Sequence, residues 1–462
     1  MSVRFCTPMK LFVLAPTLAL ALLPGVMYAQ TLSLQQATEL ALSADPRIKE
    51  REALADVAQG LIDEAQGHAG WKLDANVFVG VSPALEGGPF KDGAFSCGNG
   101  TPCEFRDDAY KLSDGLSPMI GFEAKLIKPL YTFGKIERYS EAAQYNKQVK
   151  EGDIQLARGE VWLQVRRAYY GYLTARDTRY LLEDVHAQVN RALEIARRGV
   201  EEGQMRVADQ YALESGLALV NHYLAKARAV ENVARDGLKT LIGRPLNASV
   251  EVEQAHITPL PMPGGALAEL AERALKQRPE MGQVQAGMAG LRAYADARRA
   301  EQRPDIYAGL VTLGTYSPGR ETLKNSYIYD PFNFVAATPV VGIRWQWQEG
   351  VQNARISQAE AELRAVTEKQ NFARQGIPFQ VAEAYHYMVG MHESVDQLGQ
   401  GAAAARRWML GNFLDFEAGL IEGAKVIDAL KAYAGMQADY LSTLNDYNMQ
   451  VSVLQHAIGE YP

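Results

Sequence analysis

The chain of 462 residues contains three cysteines, no surplus of basic residues and no grouping of its seven histidines. Lys and Arg number 47 against 54 Asp and Glu, a formal net charge of −7, which gives no electrostatic basis for nucleic-acid binding. His386 and His392 do not form a paired helical zinc motif, and no phosphate-binding glycine loop or nucleophile elbow occurs. We therefore expect neither an enzyme nor a cofactor or metal requirement.

Long apolar runs are also missing after the N-terminus. The run at 11–23 follows Arg4 and Lys10 and precedes Pro24. Its 13 residues are fewer than the roughly 20 that a transmembrane helix needs, so we predict a secretory signal peptide, residues 1–29, cleaved after Ala29. Because no other segment is long and apolar enough to cross as a helix, any membrane crossing is expected to use β-strands.

Two cysteines remain after cleavage. Cys97 and Cys103 stand close together in a segment rich in glycine and proline. In the oxidising compartment that a signal peptide implies, a disulfide between them is predicted. The alternative is a metal site, for which two thiols supply only half of a tetrahedral shell.

The chain contains an internal duplication. A constant offset of 233 relates the segments near 34–46 and 267–279, and an offset of 216 relates 134–203 and 350–419. We therefore predict two structural repeats, at 30–245 and 266–462, joined by a proline-rich linker at 246–265.

Each repeat changes from helical to strand periodicity and back. A helix is expected from Leu32 to about Gly67, followed by apolar and polar residues that alternate over 71–81. This alternation predicts a β-hairpin at 71–131 with an outer loop at 82–117, and a second at 304–348 with an outer loop at 317–337. Eleven residues suit a tilted membrane strand, and Trp345 and Trp347 suit an interfacial aromatic girdle; the alternative is a half-buried sheet in a soluble domain.

Long helical hairpins complete both repeats, at 135–242 and 351–458. No proline occurs from Lys135 to Arg198, so a helix of about 96 Å is possible at 1.5 Å per residue. Pro378 is expected to kink the corresponding helix of the second repeat. Four strands per chain cannot close a barrel, and open edges in lipid leave backbone groups unpaired, so several copies are expected to share one barrel.

In its order of elements, its duplication and three short motifs, the chain resembles the TolC-like outer-membrane efflux protein family over essentially all of the mature sequence. The motifs are Arg278-Pro279-Glu280, Pro129-Leu130-Tyr131-Thr132-Phe133-Gly134, and Gly419 followed by Val426-Ile427-Asp428-Ala429.

The resemblance implies an α+β membrane protein of the outer membrane: a homotrimer whose twelve-stranded barrel, four strands from each chain, continues into a long α-helical periplasmic barrel. It implies a passive exit duct of a tripartite efflux or type I secretion system. The implied partners are a periplasmic adaptor protein, an inner-membrane pump and outer-membrane lipid, with no cofactor. The alternative function is a periplasmic coiled-coil adaptor or scaffold.

The resemblance also implies a constricted periplasmic aperture lined by acidic residues from both repeats. Asp428 and Asp209 occupy the matching positions, whereas Lys425 replaces a second acidic residue and Phe416 replaces a locking tyrosine. Closure is then expected to depend on packing of Phe413 and Phe416, with the acidic residues Asp415, Glu417 and Glu422 nearby. The alternatives are solvated acids early in a helix and an ordinary core aromatic.

Glycine-containing turns at the ends of the helical hairpins are the predicted adaptor-docking sites. They contain Gly199 and Gly203 in the first repeat and Gly419 and Gly423 in the second. The alternative is that tight turns require glycine for conformational reasons alone.

Overall fold

The structure, a computed structural model, describes residues 31–83, 104, 115–320 and 329–462. The predicted signal peptide at 1–29 and the predicted disulfide between Cys97 and Cys103 lie outside the described residues. Helices and strands follow in the order β, α, α, β, β, α, α, and this order occurs twice along the chain.

The elements have the following bounds: β1 Thr31–Leu32, α1 Leu34–Ala44, α2 Pro46–Gly67, β2 Lys72–Pro83, β3 Leu116–Tyr131, α3 Lys135–Glu201, α4 Val207–Leu241, β4 Glu251–Val252, α5 Leu267–Gln277, α6 Pro279–Ala300, β5 Asp305–Tyr316, β6 Phe334–Arg344, α7 Glu349–Glu417 and α8 Gly423–Ala457.

The first helical segment is two helices, not the one helix expected over 32–67. Asp45 ends α1 and begins α2, where its carboxylate accepts a hydrogen bond of 2.8 Å from the Arg47 N–H. Pro46 has no N–H and fits only the first turn of a helix, so it ends the preceding one. Pro279 divides α5 from α6 in the same way.

Strands β2, β3, β5 and β6 form one antiparallel sheet in that order. Because side chains alternate between the two faces of a strand, the register places Leu73, Val77 and Val79 on the same face as their partners Leu126, Phe122 and Ile120. The opposite face carries charged groups such as Lys72, Asp74 and Lys125 on the same two strands. The sheet therefore has one apolar face and one mixed polar face, as the alternation in the sequence predicts.

The strand ends differ from the expected ones. β3 begins at Leu116 and β6 at Phe334, so both cross the expected boundaries of the outer loops at 82–117 and 317–337. β6 ends at Arg344, opposite the first residue of β5, Asp305. Trp345 and Trp347 therefore follow the strand instead of belonging to it, because the chain before Asp305 offers β6 no further partner.

The long helices dominate the molecule. α3 has 67 residues and α7 has 69, which corresponds to about 100 Å each at 1.5 Å per residue. α7 remains helical on both sides of Pro378. α4 and α8 run back along the distal parts of α3 and α7 and have 35 residues each. No helix of the described residues contains an apolar stretch long enough to cross a membrane.

Helix contacts define two layers. Next to the sheet, neighbouring helices follow in the order α2, α3, α6, α7; toward the distal end the order is α4, α3, α8, α7. One core cluster fills the middle of the molecule around Tyr169, Leu173 and Tyr447, and a second lies near the distal ends of α4 and α8. The segment between α4 and α5 packs on the first cluster, where buried Asp177 accepts a hydrogen bond of 2.8 Å from the Ile257 N–H.

Candidate functional site at the helical tips

The distal turns of the two helical hairpins have the same backbone geometry. Gly203 and Gly419 adopt φ values of 71° and 72°, the left-handed conformation that favours glycine. Past each glycine, the N–H of Gln204 donates to the Gly199 carbonyl at 2.7 Å, and the N–H of Leu420 donates to the Asp415 carbonyl at 2.8 Å. Both bonds close the last helical turn in a Schellman motif, so Gly203 and Gly419 have a conformational role in the turns.

The other two glycines of the predicted docking turns allow close packing. A Cβ atom on Gly199 would lie 2.7 Å from Cγ of Met205, and one on Gly423 would lie 3.0 Å from the carbonyl oxygen of Asp209. These glycines bring the start of α4 against the end of α3 and against the start of α8.

Asp209 joins the two hairpins. Its carboxylate accepts a hydrogen bond of 2.8 Å from the N–H of Gly423, the first residue of α8, and an ion-pair contact of 3.1 Å from Nε of Arg206. The same guanidinium contacts the Glu422 carboxylate at 3.0 Å. Because Glu422 supplies no side-chain cap to α8, the carboxylate of Asp209 satisfies a free N–H at that helix terminus.

Asp209 is stabilised both by the charge of Arg206 and by the start of helix α8. Hydrogen bonds to Asp209 and Glu422 raise the pKa of Arg206, which keeps its charge at every physiological pH. Asp209 lies near the positive end of the α8 dipole and is 7 % exposed. It therefore lies between the two hairpins and not on the open surface that an aperture acid requires.

Phe416 lies in the interior of the chain. Its side chain is 1 % exposed and belongs to the distal core cluster with Leu213, Met409 and Val426. At this cluster the lack of a side chain on Gly216 lets α4 and α8 approach closely. A Cβ atom on Gly216 would lie 2.3 Å from Cδ1 of Ile427. The position corresponds to the ordinary core aromatic that the sequence left open as the alternative for Phe416.

The remaining aperture candidates are on the surface. Asp428 and Lys425 are exposed on the first turns of α8, three residues apart and therefore neighbours on one helix face. Asp415 is exposed on the last turn of α7. The structure thus places Asp415, Lys425 and Asp428 on the open surface of one hairpin tip and separates Asp209 and Phe416 from them.

Arg206, Glu422 and Gly423 were missed as the partners of Asp209. The only local signal is the spacing of Arg206 and Asp209 at a helix start. Gly423 follows Asp209 by 214 residues, and no sequence pattern connects the two. Within the described part of the chain, no three His, Cys, Asp or Glu side chains are grouped as a metal site would require.

The fold agrees with comparisons to known proteins. Residues 37–244 match the model of the outer membrane efflux protein family. The predicted resemblance to TolC-like outer-membrane efflux proteins is confirmed by this match, and so is the predicted location in the outer membrane with the helical part in the periplasm.

Solved structures of outer-membrane channels have the same fold over nearly the whole chain. The outer-membrane protein VceC of Vibrio cholerae is 15 % identical with a TM-score of 0.71, over 92 % of this chain and 96 % of that one. The open state of the MtrE channel of Neisseria gonorrhoeae is 17 % identical with a TM-score of 0.71, over 92 % and 88 %. The channel OprN is 16 % identical with a TM-score of 0.72, over 92 % and 89 %.

No curated protein matches the chain at the level of sequence. The structural likeness at these identities concerns the fold, a mostly helical α+β architecture of outer-membrane efflux channels.

Proposed function

We propose that this chain is one subunit of a trimeric outer-membrane efflux channel, a passive exit duct that takes its cargo from a periplasmic adaptor and an inner-membrane pump. The family match and the fold support the efflux channel. The trimer and its closed barrel rest on the position of the unpaired edges, which is the observation that carries the proposal.

The sheet and the two helical layers have their free edges on the same two sides of the chain. Among the described strands, β2 and β6 each have a hydrogen-bonded neighbour on one side only. α4 and α2, which leads directly into β2, lie at one end of their layers, whereas α7, which directly follows β6, lies at the other end of both layers. One side of the chain therefore belongs to its first half, and the opposite side to its second half.

The helices at both sides carry exposed apolar side chains, as contact surfaces between copies would. They are Val57 of α2, Tyr211 and Val233 of α4, and Phe372 and Phe379 of α7. Because two different surfaces must meet, the contact is head to tail, and such contacts close into a ring when the rotation allows it.

Three copies would give a closed barrel of twelve strands. In that ring the apolar face of the sheet turns toward lipid and the mixed polar face toward a water-filled interior, which is the arrangement of membrane barrels. Closure pairs β2 of one copy with β6 of the next and removes the free backbone groups that lipid cannot satisfy. The helical layers then continue as a tube of twelve helices.

The duplicated order of elements supports two structural repeats, 30–245 and 266–462, with the linker 246–265 between them. Each repeat would supply half of the sheet and one helical hairpin. The hairpin tips would form the periplasmic end, where the turns around Gly203 and Gly419 are exposed to an adaptor protein.

The aperture is assigned to the surface side chains at the tips. Around a threefold axis, three copies of Asp428 would gather with Lys425 beside each, and their charges would set the entry of ions. We expect Asp428→Ala to weaken block by multivalent cations in single-channel recordings, with Asp439→Ala, three turns further along α8, as the control. Equal block in the wild type and Asp428→Ala would remove Asp428 from the aperture.

Planar lipid bilayers test the channel itself. The purified protein is expected to produce discrete conductance steps of uniform size, and buffer with detergent alone should produce none. Absence of steps at any applied voltage would contradict a channel and would favour a scaffold role in the periplasm.

A further inference from the structure

A cavity of about 1090 Å³ lies where the sheet meets the helices. Its strand residues, among them Lys72, Asp305, Tyr307 and Arg344, all belong to the mixed polar face of the sheet. The ends of α2 and α6 and the first turns of α3 and α7 complete the wall. In the proposed trimer this face turns toward the water-filled interior, so the cavity opens into the duct.

The lining of the cavity is rich in positive charge although the chain as a whole is acidic. Five cations line it: Lys72, Lys135, Arg303, Arg344 and Arg355. Only three acids do so: Glu64, Glu301 and Asp305. His68 also lines the wall, where its Nδ1 lies 3.2 Å from Nζ of Lys72.

Two of the three acids are already neutralised, one of them by Lys135, which is itself one of the five cations. The Asp305 carboxylate receives both of its contacts from Nζ of Lys135 at 2.6 Å. Glu301 accepts hydrogen bonds from Arg298 at 3.0 Å and from the Tyr139 hydroxyl at 2.5 Å. Among the described residues, no acid forms an ion pair with Arg303, Arg344 or Arg355, and all three are exposed.

Two helix N-termini and three aromatic side chains also contribute to the cavity wall. α3 and α7 both begin at the cavity, and neither Gly134 nor Gln348 caps its helix with a side chain, so free N–H groups add partial positive charge there. Glu137 and Glu349 lie in those first turns but do not line the cavity. Tyr294, Tyr307 and Trp347 supply apolar surface, and the Arg344 guanidinium stands 5.3 Å from the Tyr307 ring centre.

The positive zone is confined to this level of the sheet. Further toward the outer ends of the strands, the charged residues of the same face are Asp74, Glu123 and Lys125, with Lys125 paired to Glu123. A solute that passes along the duct therefore meets one layer with excess positive charge and aromatic surface, followed by a layer with net negative charge.

We propose that this cavity binds organic anions with an aromatic or apolar body and makes the duct select for them. Guanidinium groups recognise carboxylate and sulfonate oxygens through paired hydrogen bonds, and the aromatic rings contact the apolar body. Each charge faces water, so binding is expected to be weak, which suits a solute in transit. This inference rests on the proposed channel.

The test uses bilayer recordings of the full chain with pyrenetrisulfonate as the anionic probe and a tetraalkylammonium ion of similar size as the cationic one. Wild-type channels are expected to be blocked at lower concentrations of the anion. A triple variant, Arg303→Gln with Arg344→Gln and Arg355→Gln, should raise the blocking concentration of pyrenetrisulfonate about tenfold, equivalent to about 1.4 kcal/mol. Arg244→Gln, which removes an exposed guanidinium after α4, should leave it unchanged.

Binding of the fluorescent probe to detergent-extracted protein, followed by anisotropy, gives the same comparison for a variant that inserts poorly into bilayers. Equal probe affinity in wild type and triple variant would overturn the anion site while leaving the channel intact. A wild-type protein without any conductance would contradict the proposed function itself, and the anion site with it.

Discussion

At the scale of single residues, the contact between Asp209 and the start of α8 explains how the two hairpin tips stay together. Asp209→Ala removes the acceptor of the Gly423 N–H, and loss of a helix cap costs about 0.5–2 kcal/mol. We expect faster hydrogen exchange at Gly423 and the following amides. Glu422→Gln, which loses only a solvent-exposed contact to Arg206, should change exchange little. Unchanged exchange in Asp209→Ala would show that the contact does not hold the tips.

Asp45 makes the stability of the folded chain depend on pH, and the direction of the dependence follows from its pKa. Its side-chain hydrogen bond with Arg47 lowers the pKa of the carboxyl below the ordinary value of 3.8. The unfolded chain therefore binds the proton more readily, so the stabilisation is present above that value and is lost as pH falls through the folded pKa.

Thermal unfolding of wild type and Asp45→Asn should accordingly differ at neutral pH, with the wild type more stable, and converge in acid. Asn can still cap α2, so the difference isolates the charge. Asp56→Asn, an exposed acid in the same helix, is the control. A difference that grows on acidification would contradict the assignment.

Residue roles were harder to predict than residue positions. The sequence led to Asp209 as an aperture acid, yet the structure places it against Arg206 and Gly423, and Gly423 lies 214 residues away. Phe416 shows the same limitation, because burial depends on helices that meet only in three dimensions. The conformational role of Gly203 and Gly419 was the alternative to the predicted adaptor docking, and it could be named from the sequence because a tight turn with positive φ is a local property.

At the scale of elements, alternation of apolar and polar residues predicted the strands, because the period of two is a property of the backbone. The ends of the strands depend on their pairing partners. β6 ends at Arg344 because its partner there, Asp305, is the first residue of β5, and the sequence of β6 alone does not indicate this end. The long helices α3 and α7 follow from local chemistry, which explains the near agreement of their bounds. The break at Pro46 is also local, but it was missed, because one helix was expected across it.

A pair of neighbouring substitutions tests the two faces of the sheet. Val77, 71 % exposed near the middle of β2, is on the apolar face, and Asn76 is on the polar face. Lysine on a lipid face costs about 2–4 kcal/mol at the bilayer midplane. Val77→Lys should therefore reduce the yield of heat-resistant oligomer in the outer-membrane fraction, whereas Asn76→Lys should leave it unchanged. Equal yields, or a larger loss with Asn76→Lys, would mean that the faces are assigned the wrong way round.

At the scale of the whole molecule, the chain is a layered sheet-and-helix structure with an unpaired element at each side of its layers. β2, α2 and α4 form one side, and β6 with α7 forms the other. The proposed ring of copies would satisfy both sides at once and would give each strand of the four-stranded sheet two neighbours, which a single chain in lipid cannot achieve. In that ring the three cavities, with their cations at the junction of sheet and helices, would face one axis.

The mass of the native particle tests this account most directly. The protein extracted from outer membranes in mild detergent is expected to have three times the mass of one mature chain in native mass spectrometry, with no monomer until it is denatured. A particle with the mass of one chain, or a protein that stays soluble and monomeric without detergent, would contradict it.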